Sequence, residues 1–219
     1  MRDERARGLR RGGRAAPAVP PGGHGRGRRR RGRHGRPPAP EGPVTGVRIA
    51  AFADLHGDLP ALEAILEDAG RRGAEALFHL GDMGGGPQDA AVWARLREAG
   101  VVGVRGEADP ADPPAWIRVE DGGVALALCH ADPREAWRPL DADTPDGELA
   151  EVFALVEAGV LLVGHTHEPL TREVGDRLLL NPGPAGGGAE ARYLLLDTEG
   201  GLTVLHVRVP VRRAPGESR

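Results

Sequence analysis

Four short, largely apolar runs in this chain each end in an aspartate or a histidine, and the last of them ends in two. Val47 to Ala53 is followed by Asp54-Leu55-His56, Ala76 to Leu80 by Gly81-Asp82, Val124 to Cys129 by His130, and Val160 to Val163 by Gly164-His165-Thr166-His167. Runs of this size have strand length. Side chains at i and i+2 lie on one side of an extended chain, so if the strand conformation continues, Asp54 faces the same way as His56, and His165 the same way as His167. Carboxylate oxygens and imidazole nitrogens are donors to divalent metals. Delivered together at strand ends, they predict a metal site at the carboxyl edge of a sheet.

In chain order these residues resemble the calcineurin-like metallophosphoesterase superfamily, and within it the compact bacterial phosphodiesterase-like branch. The family pattern is Asp-x-His, Gly-Asp, Gly-Asn followed by a residue such as His or Cys, a lone His, and Gly-His-x-His. Here it reads Asp54-Leu55-His56, Gly81-Asp82, Gly106-Glu107-Ala108-Asp109, His130 and Gly164-His165-Thr166-His167. The segments Asp54 to Ala64 and Asn181-Pro182-Gly183 are also similar to stretches typical of the branch. The resemblance covers about residues 47 to 209, a fair length for one domain.

That resemblance implies an α/β fold, a four-layer αββα sandwich of two sheets flanked by helices. It implies two divalent ions, one held by Asp54, His56, Asp82 and His167, the other by Asp82, Glu107, His130 and His165, with Asp82 bridging. Manganese is the metal the branch suggests; iron, nickel, zinc and magnesium are alternatives. The implied reaction is hydrolysis of a small phosphoester, a phosphodiester ahead of a phosphomonoester, by metal-bound hydroxide.

The chain departs from the pattern at Glu107, where the family has Asn, and at Ala108, where His or Cys often stands. A carboxylate in place of a neutral amide cancels one unit of positive charge and weakens the pull on a phosphate. Ala108 offers no general acid, which favours esters with good leaving groups unless water or Asp109 substitutes as the acid–base group. Arg105 and Gly106 are candidates for binding substrate, and Gly84 to Gly86 reads as a phosphate cradle or as a tight turn. The departure supports an alternative of another class, a weakly active metal-binding scaffold or binding module, like the retromer scaffold subunit on a similar fold. A serine/threonine protein phosphatase fits less well. That branch has Asp-Arg-Gly shortly after its Gly-Asp, where this chain has Gly84-Gly85-Gly86-Pro87.

Strand and helix patterns alternate, as an α/β fold requires. A first helix is expected with Asp58 as cap, Pro60 in its first turn and Leu62, Ile65, Leu66 and Ala69 on one face, ending at Gly70 and Gly73. A second spans about Gln88 to Ala99, with Val92, Leu96 and Ala99 inward, and leads to a strand over Val101 to Val104. Trp116 to Val119 and Val124 to Cys129 read as a strand pair turning at Asp121-Gly122-Gly123. A helix with Leu149, Val152, Phe153 and Val156 on one face follows, and the end is mostly strand: Leu178 to Leu180, Tyr193 to Leu196 and Leu202 to Val209. His79, inside a strand run, reads as a core residue or one just behind the ligands.

Charge is unevenly spread. The 219 residues carry 29 basic and 32 acidic side chains, and every basic one is arginine. Residues 1 to 43 are rich in Arg, Gly and Pro with almost no large apolar side chain, so they are expected to be a disordered leader, one that translation from near Val47 would omit. Residues 44 to 209 form the expected domain and 210 to 219 a tail. Arg28 to Arg31 invites a nucleic-acid reading, but without interleaved aromatics there is nothing to stack on bases, and a solvated segment is the better reading. The lone Cys129 permits no intrachain disulfide, and no apolar stretch has the ~18 residues of a membrane span, which points to the cytoplasm. The oligomeric state is left open.

Overall fold

A computed structural model describes residues 46–213; the leader expected over residues 1 to 43 lies outside them. The elements run β1 (Arg48–Phe52), α1 (Leu59–Arg71), β2 (Ala76–His79), α2 (Asp89–Glu98), β3 (Val102–Gly103), β4 (Trp116–Asp121), β5 (Val124–Cys129), α3 (Asp146–Val156), β6 (Val160–Leu162), β7 (Leu170–Val174), β8 (Arg177–Asn181), β9 (Glu190–Asp197) and β10 (Thr203–Pro210). They build two five-stranded sheets, ordered β10-β9-β1-β2-β3 and β4-β5-β6-β8-β7. In the first, β1, β2 and β3 are parallel; in the second, β5, β6 and β8 are. Every ligand motif follows one of these parallel strands.

Three apolar layers separate four layers of structure. Leu62, Ile65 and Leu96 of α1 and α2 pack on Phe52 and Tyr193 of the first sheet. Ile49, Leu128, Leu162 and Leu194 meet between the sheets, and Leu149 and Phe153 of α3 cover Leu161 and Leu179 of the second. Along β1 the alternation is visible: Ala50 and Phe52 face the helices, Ile49 and Ala51 the other sheet. A strand buried on both faces reads as a continuous apolar run, which is why periodicity could not assign its faces. The chain therefore has the αββα sandwich expected of it.

Local chemistry explains the boundaries. The Asp58 carboxylate caps α1 by accepting from Ala61 N at 3.1 Å, with Pro60 in the first turn. Of the two glycines expected to end the helix, it runs through Gly70, and left-handed Gly73 (φ 73°) turns the chain. The β4–β5 hairpin turns on Gly122 and Gly123, both at positive φ, as a two-residue loop requires. β3 is only two residues long, and β7 was not anticipated. Its Thr-Arg-Glu centre (171–173) lacks an apolar run because it is an edge strand, paired only with β8. The expected boundary at 209 also falls short: β10 reaches Pro210, and Arg213 forms an ion pair with Asp58.

Candidate metal centre

The strand conformation does not continue into the ligand motifs. Asp54 (φ 56°), His56 (50°), Asp82 (56°), His165 (69°) and His167 (59°) all adopt left-handed backbone, as do just two other non-glycine residues among those described. Each such residue costs roughly 1 kcal/mol or more and persists only where its surroundings over-determine it. The side chains thus converge through left-handed turns and not through strand alternation. Sharp turns after the strands, held by bonds such as Asp54 N to Gly81 O and His56 N to Asp82 O (both 3.0 Å), aim the side chains at one another.

Asp54, His56 and His167 offer donor atoms within 4.8 Å of one another, and so do Asp54, Asp82 and His130. The residue common to both groups is Asp54, not the expected bridge Asp82. His56 Nε2 and His167 Nε2 are 3.1 Å apart, close to the ~3.0 Å between two nitrogens bound at ~2.1 Å and right angles to one ion. His165 sits beside His130, ring centroids 5.1 Å apart, and its backbone N–H donates to Asp54 Oδ1 at 3.0 Å. Glu107 is exposed and joins neither group.

The donor set fits a divalent cation. Asp54 Oδ2 and His130 Nε2 are buried with no hydrogen-bond partner. His130 Nδ1 donates to Leu80 O at 2.8 Å, so in the neutral ring the Nε2 lone pair looks toward Asp82 Oδ2 at 3.4 Å and Asp54 Oδ1 at 4.0 Å. Acceptors facing acceptors need a cation between them. Without metal a proton serves: burial lowers the His130 pKa, but the Asp82 and Asp54 carboxylates outweigh it and the net shift is upward. Burial pushes Asp54 up to about 6, against the pull of His130. Burial also raises Asp82, yet His130 and the Ala108 N–H prevail and hold it down.

Asp109 is not available as an acid–base group. Its Oδ1 accepts from Met83 N (2.8 Å) and Gly84 N (2.9 Å), and its Oδ2 from Asp82 N and Gly106 N (both 2.8 Å). These four N–H bonds clamp the loop after β2 to the loop after β3. The expected substrate role of Gly106 fails for the same reason, since its N–H is spent on Asp109. Glycine is required there because a Cβ would lie 2.0 Å from Asp82 Oδ1. Nor is Gly84 to Gly86 a phosphate cradle: Gly84 N–H goes to Asp109, and those of Gly85 (3.0 Å) and Gly86 (2.8 Å) go to Asp89 at the start of α2.

Two positioning roles were not read from the sequence, although Asn181 stands in a segment that resembles the family. Asn181, at the end of β8, donates through Nδ2 to Gly164 O (2.8 Å) and Thr166 Oγ1 (3.1 Å), fixing the double-histidine loop. A polar residue closing an apolar strand was the available signal. Asp89 gave none beyond its place in a helix's first turn. His79 is a buried core residue packed on Trp93, ring centroids 5.7 Å apart. Arg105 lines a cavity that also includes His130.

An αββα sandwich carrying this donor set at its parallel strand ends defines a calcineurin-like phosphoesterase. The domain profile of that superfamily matches residues 47–201, and the chain belongs to it. Among its relatives, phosphodiesterase YfcE of Escherichia coli is 31% identical over 167 residues, 70% of this chain and 89% of the relative. The solved structure of that phosphoesterase aligns at a TM-score of 0.52 and 27% identity, covering 75% of this chain and all of the other. A metallophosphoesterase from Sphaerobacter thermophilus shares the fold at a TM-score of 0.60 and 24% identity, covering 77% and 90%. No helix among the described residues is long and apolar enough to cross a membrane.

Proposed function

We propose that the chain hydrolyses a small phosphodiester with two divalent ions, manganese being the first choice, held by Asp54, His56, Asp82, His130, His165 and His167. The observation that carries this is the pair of buried, unpartnered donors, Asp54 Oδ2 and His130 Nε2, aimed into a cluster of carboxylates and imidazoles. Bound there, the ions supply Lewis acidity toward phosphate oxygens and a water acidic enough to attack near neutral pH. The chain's own part is positioning. Leu80 O fixes the His130 tautomer, the His165 N–H holds Asp54, and Asp109 fixes the backbone that carries Asp82. With Ala108 and a fully engaged Asp109, no side chain at that loop protonates the leaving group, so esters with good leaving groups suit the site best. The buried lone thiol Cys129 fits a reducing, cytoplasmic setting.

The test is metal analysis after reconstitution with Mn²⁺, then turnover of bis(p-nitrophenyl) phosphate against p-nitrophenyl phosphate. Two equivalents of metal, faster diester cleavage and loss of both in Asp54→Asn are expected. Protein that binds no metal refutes the reading. Protein that binds metal but cleaves neither ester supports the scaffold alternative, which the exposed Glu107 and Ala108 favour.

A further inference from the structure

Next to His130 lies a cavity of about 190 Å³ whose walls include Ala115, Ala131 and Pro133, with Arg105 and Trp137 beside them. We propose that this cavity is a substrate subsite that takes one organic arm of the ester, a planar ring seated against Trp137, while Arg105 meets an anionic oxygen of the same molecule. The inference rests on the phosphodiesterase reading above and adds the class of group the substrate carries.

Trp137 is not there for the core. It is 38% exposed and belongs to none of the three apolar clusters, yet its ring centroid is 6.2 Å from that of His130 at 70°. Its backbone is left-handed, φ 62°, a costly conformation for a bulky residue, which the surrounding loop must enforce. That loop is closed by Asp132 N to Arg138 O (2.9 Å) and Arg138 N to Glu135 O (3.2 Å). Arg134 and Arg138 tie it to Glu151 and Glu148 of α3. The indole is thus held at the mouth of the ligand cluster by a braced loop.

The charges in the cavity are as informative. Asp132 is buried, but Arg134 occupies both its oxygens, through Nε (3.0 Å to Oδ1) and Nη2 (2.8 Å to Oδ2), so it does not repel an anion. Arg105 differs. Among the described residues its guanidinium has no hydrogen bond and no carboxylate partner. A half-buried cation without an anion, lining the same cavity as His130, matches a phosphate oxygen. The size suits one ring system, since a cavity of roughly 150 Å³ accommodates benzene. Small apolar walls with one aromatic face favour stacking over polar readout.

Calorimetric binding to the Mn²⁺-loaded full chain tests this without any turnover. Phenylphosphonate should bind about tenfold tighter than methylphosphonate, or adenosine 5′-monophosphate tighter than ribose 5-phosphate by a similar factor, the magnitude of one aromatic stacking contact. A gain in the first pair assigns the ring to an aryl ester, and in the second to a nucleobase. Trp137→Leu should reduce the gain to within about twofold while leaving methylphosphonate binding unchanged, and Trp137→Phe should keep most of it; unchanged methylphosphonate binding shows that the variant is folded. Arg105→Gln should weaken both members of a pair alike. No ring preference in either pair, or a preference that survives Trp137→Leu, overturns the subsite. A ring preference without turnover of any ester keeps the subsite and sinks the catalytic reading; diester turnover with no ring preference does the reverse.

Discussion

Replacing Asp109 by Asn separates a structural clamp from an acid. In the native loop each carboxylate oxygen accepts two backbone N–H bonds, from Met83 and Gly84 on one side and from Asp82 and Gly106 on the other, all at 2.8 to 2.9 Å. Asn must place its NH₂ group where one oxygen was, so two donors lose their acceptor and face another donor. A hydrogen bond to a charged group contributes ~1.5–3 kcal/mol, and two of them ~3–6. Asp109 is half-buried and water restores part of this, so we expect a net loss of about 2–4 kcal/mol. For a domain of this size that is a fall in Tm of roughly 5–15 °C. The measurement is urea unfolding of metal-free protein, so that ligand linkage does not enter, followed by Mn²⁺ titration, where affinity should also fall because the backbone of Asp82 is no longer held. The opposite pattern would refute the clamp: an unchanged urea midpoint and metal affinity, with one limb of the pH–rate profile lost, is what an acid–base group gives.

Manganese affinity should fall more than tenfold from pH 7.5 to pH 5. Asp54, at about 6 without metal, must release a proton to bind, which alone gives about tenfold; the raised His130 acts in the same direction, and a flat profile would contradict both. Burial pushes His79 down to about 4, so it folds neutral: its stabilisation is present above the unfolded value near 6.5 and is lost as pH falls toward 4. His79→Leu should therefore show a smaller drop in urea midpoint between pH 7 and 4.5 than the parent, and equal slopes would refute this. Gly106→Ala would put a Cβ 2.0 Å from Asp82 Oδ1 and 2.4 Å from Asp82 N; a loss of about 2 kcal/mol or more with weakened metal binding is expected, checked by unfolding and titration. Because Glu107 is exposed and joins neither donor group, Glu107→Asn should change diester turnover by less than about threefold; a gain of about tenfold or abolished activity would place its carboxylate at the metals.

The features legible in the sequence are those fixed within a few residues of chain. The Asp58 cap with Pro60, the apolar face of α1, the Gly122-Gly123 turn and the apolar runs ahead of each ligand all follow from φ/ψ preference and periodicity, which act locally. That Asp54, His56, Asp82, His130 and His167 stand at strand ends was legible too, because each motif is short. Their geometry was not. Left-handed backbone at Asp54, His56, Asp82, His165 and His167 is enforced by partners far along the chain, such as the bond from His165 N to Asp54, 111 residues away. Asp109 reads in sequence as a substitute acid–base group; it becomes a clamp because β2 and β3 end side by side and bring four N–H groups from 3 to 27 residues away onto one carboxylate. Likewise Trp137 meets His130 only because α3 braces the loop between them. Backbone propensity sets which segments are strands and helices; the meeting of their ends depends on burying both faces of two sheets at once, and that condition exists only in the packed chain.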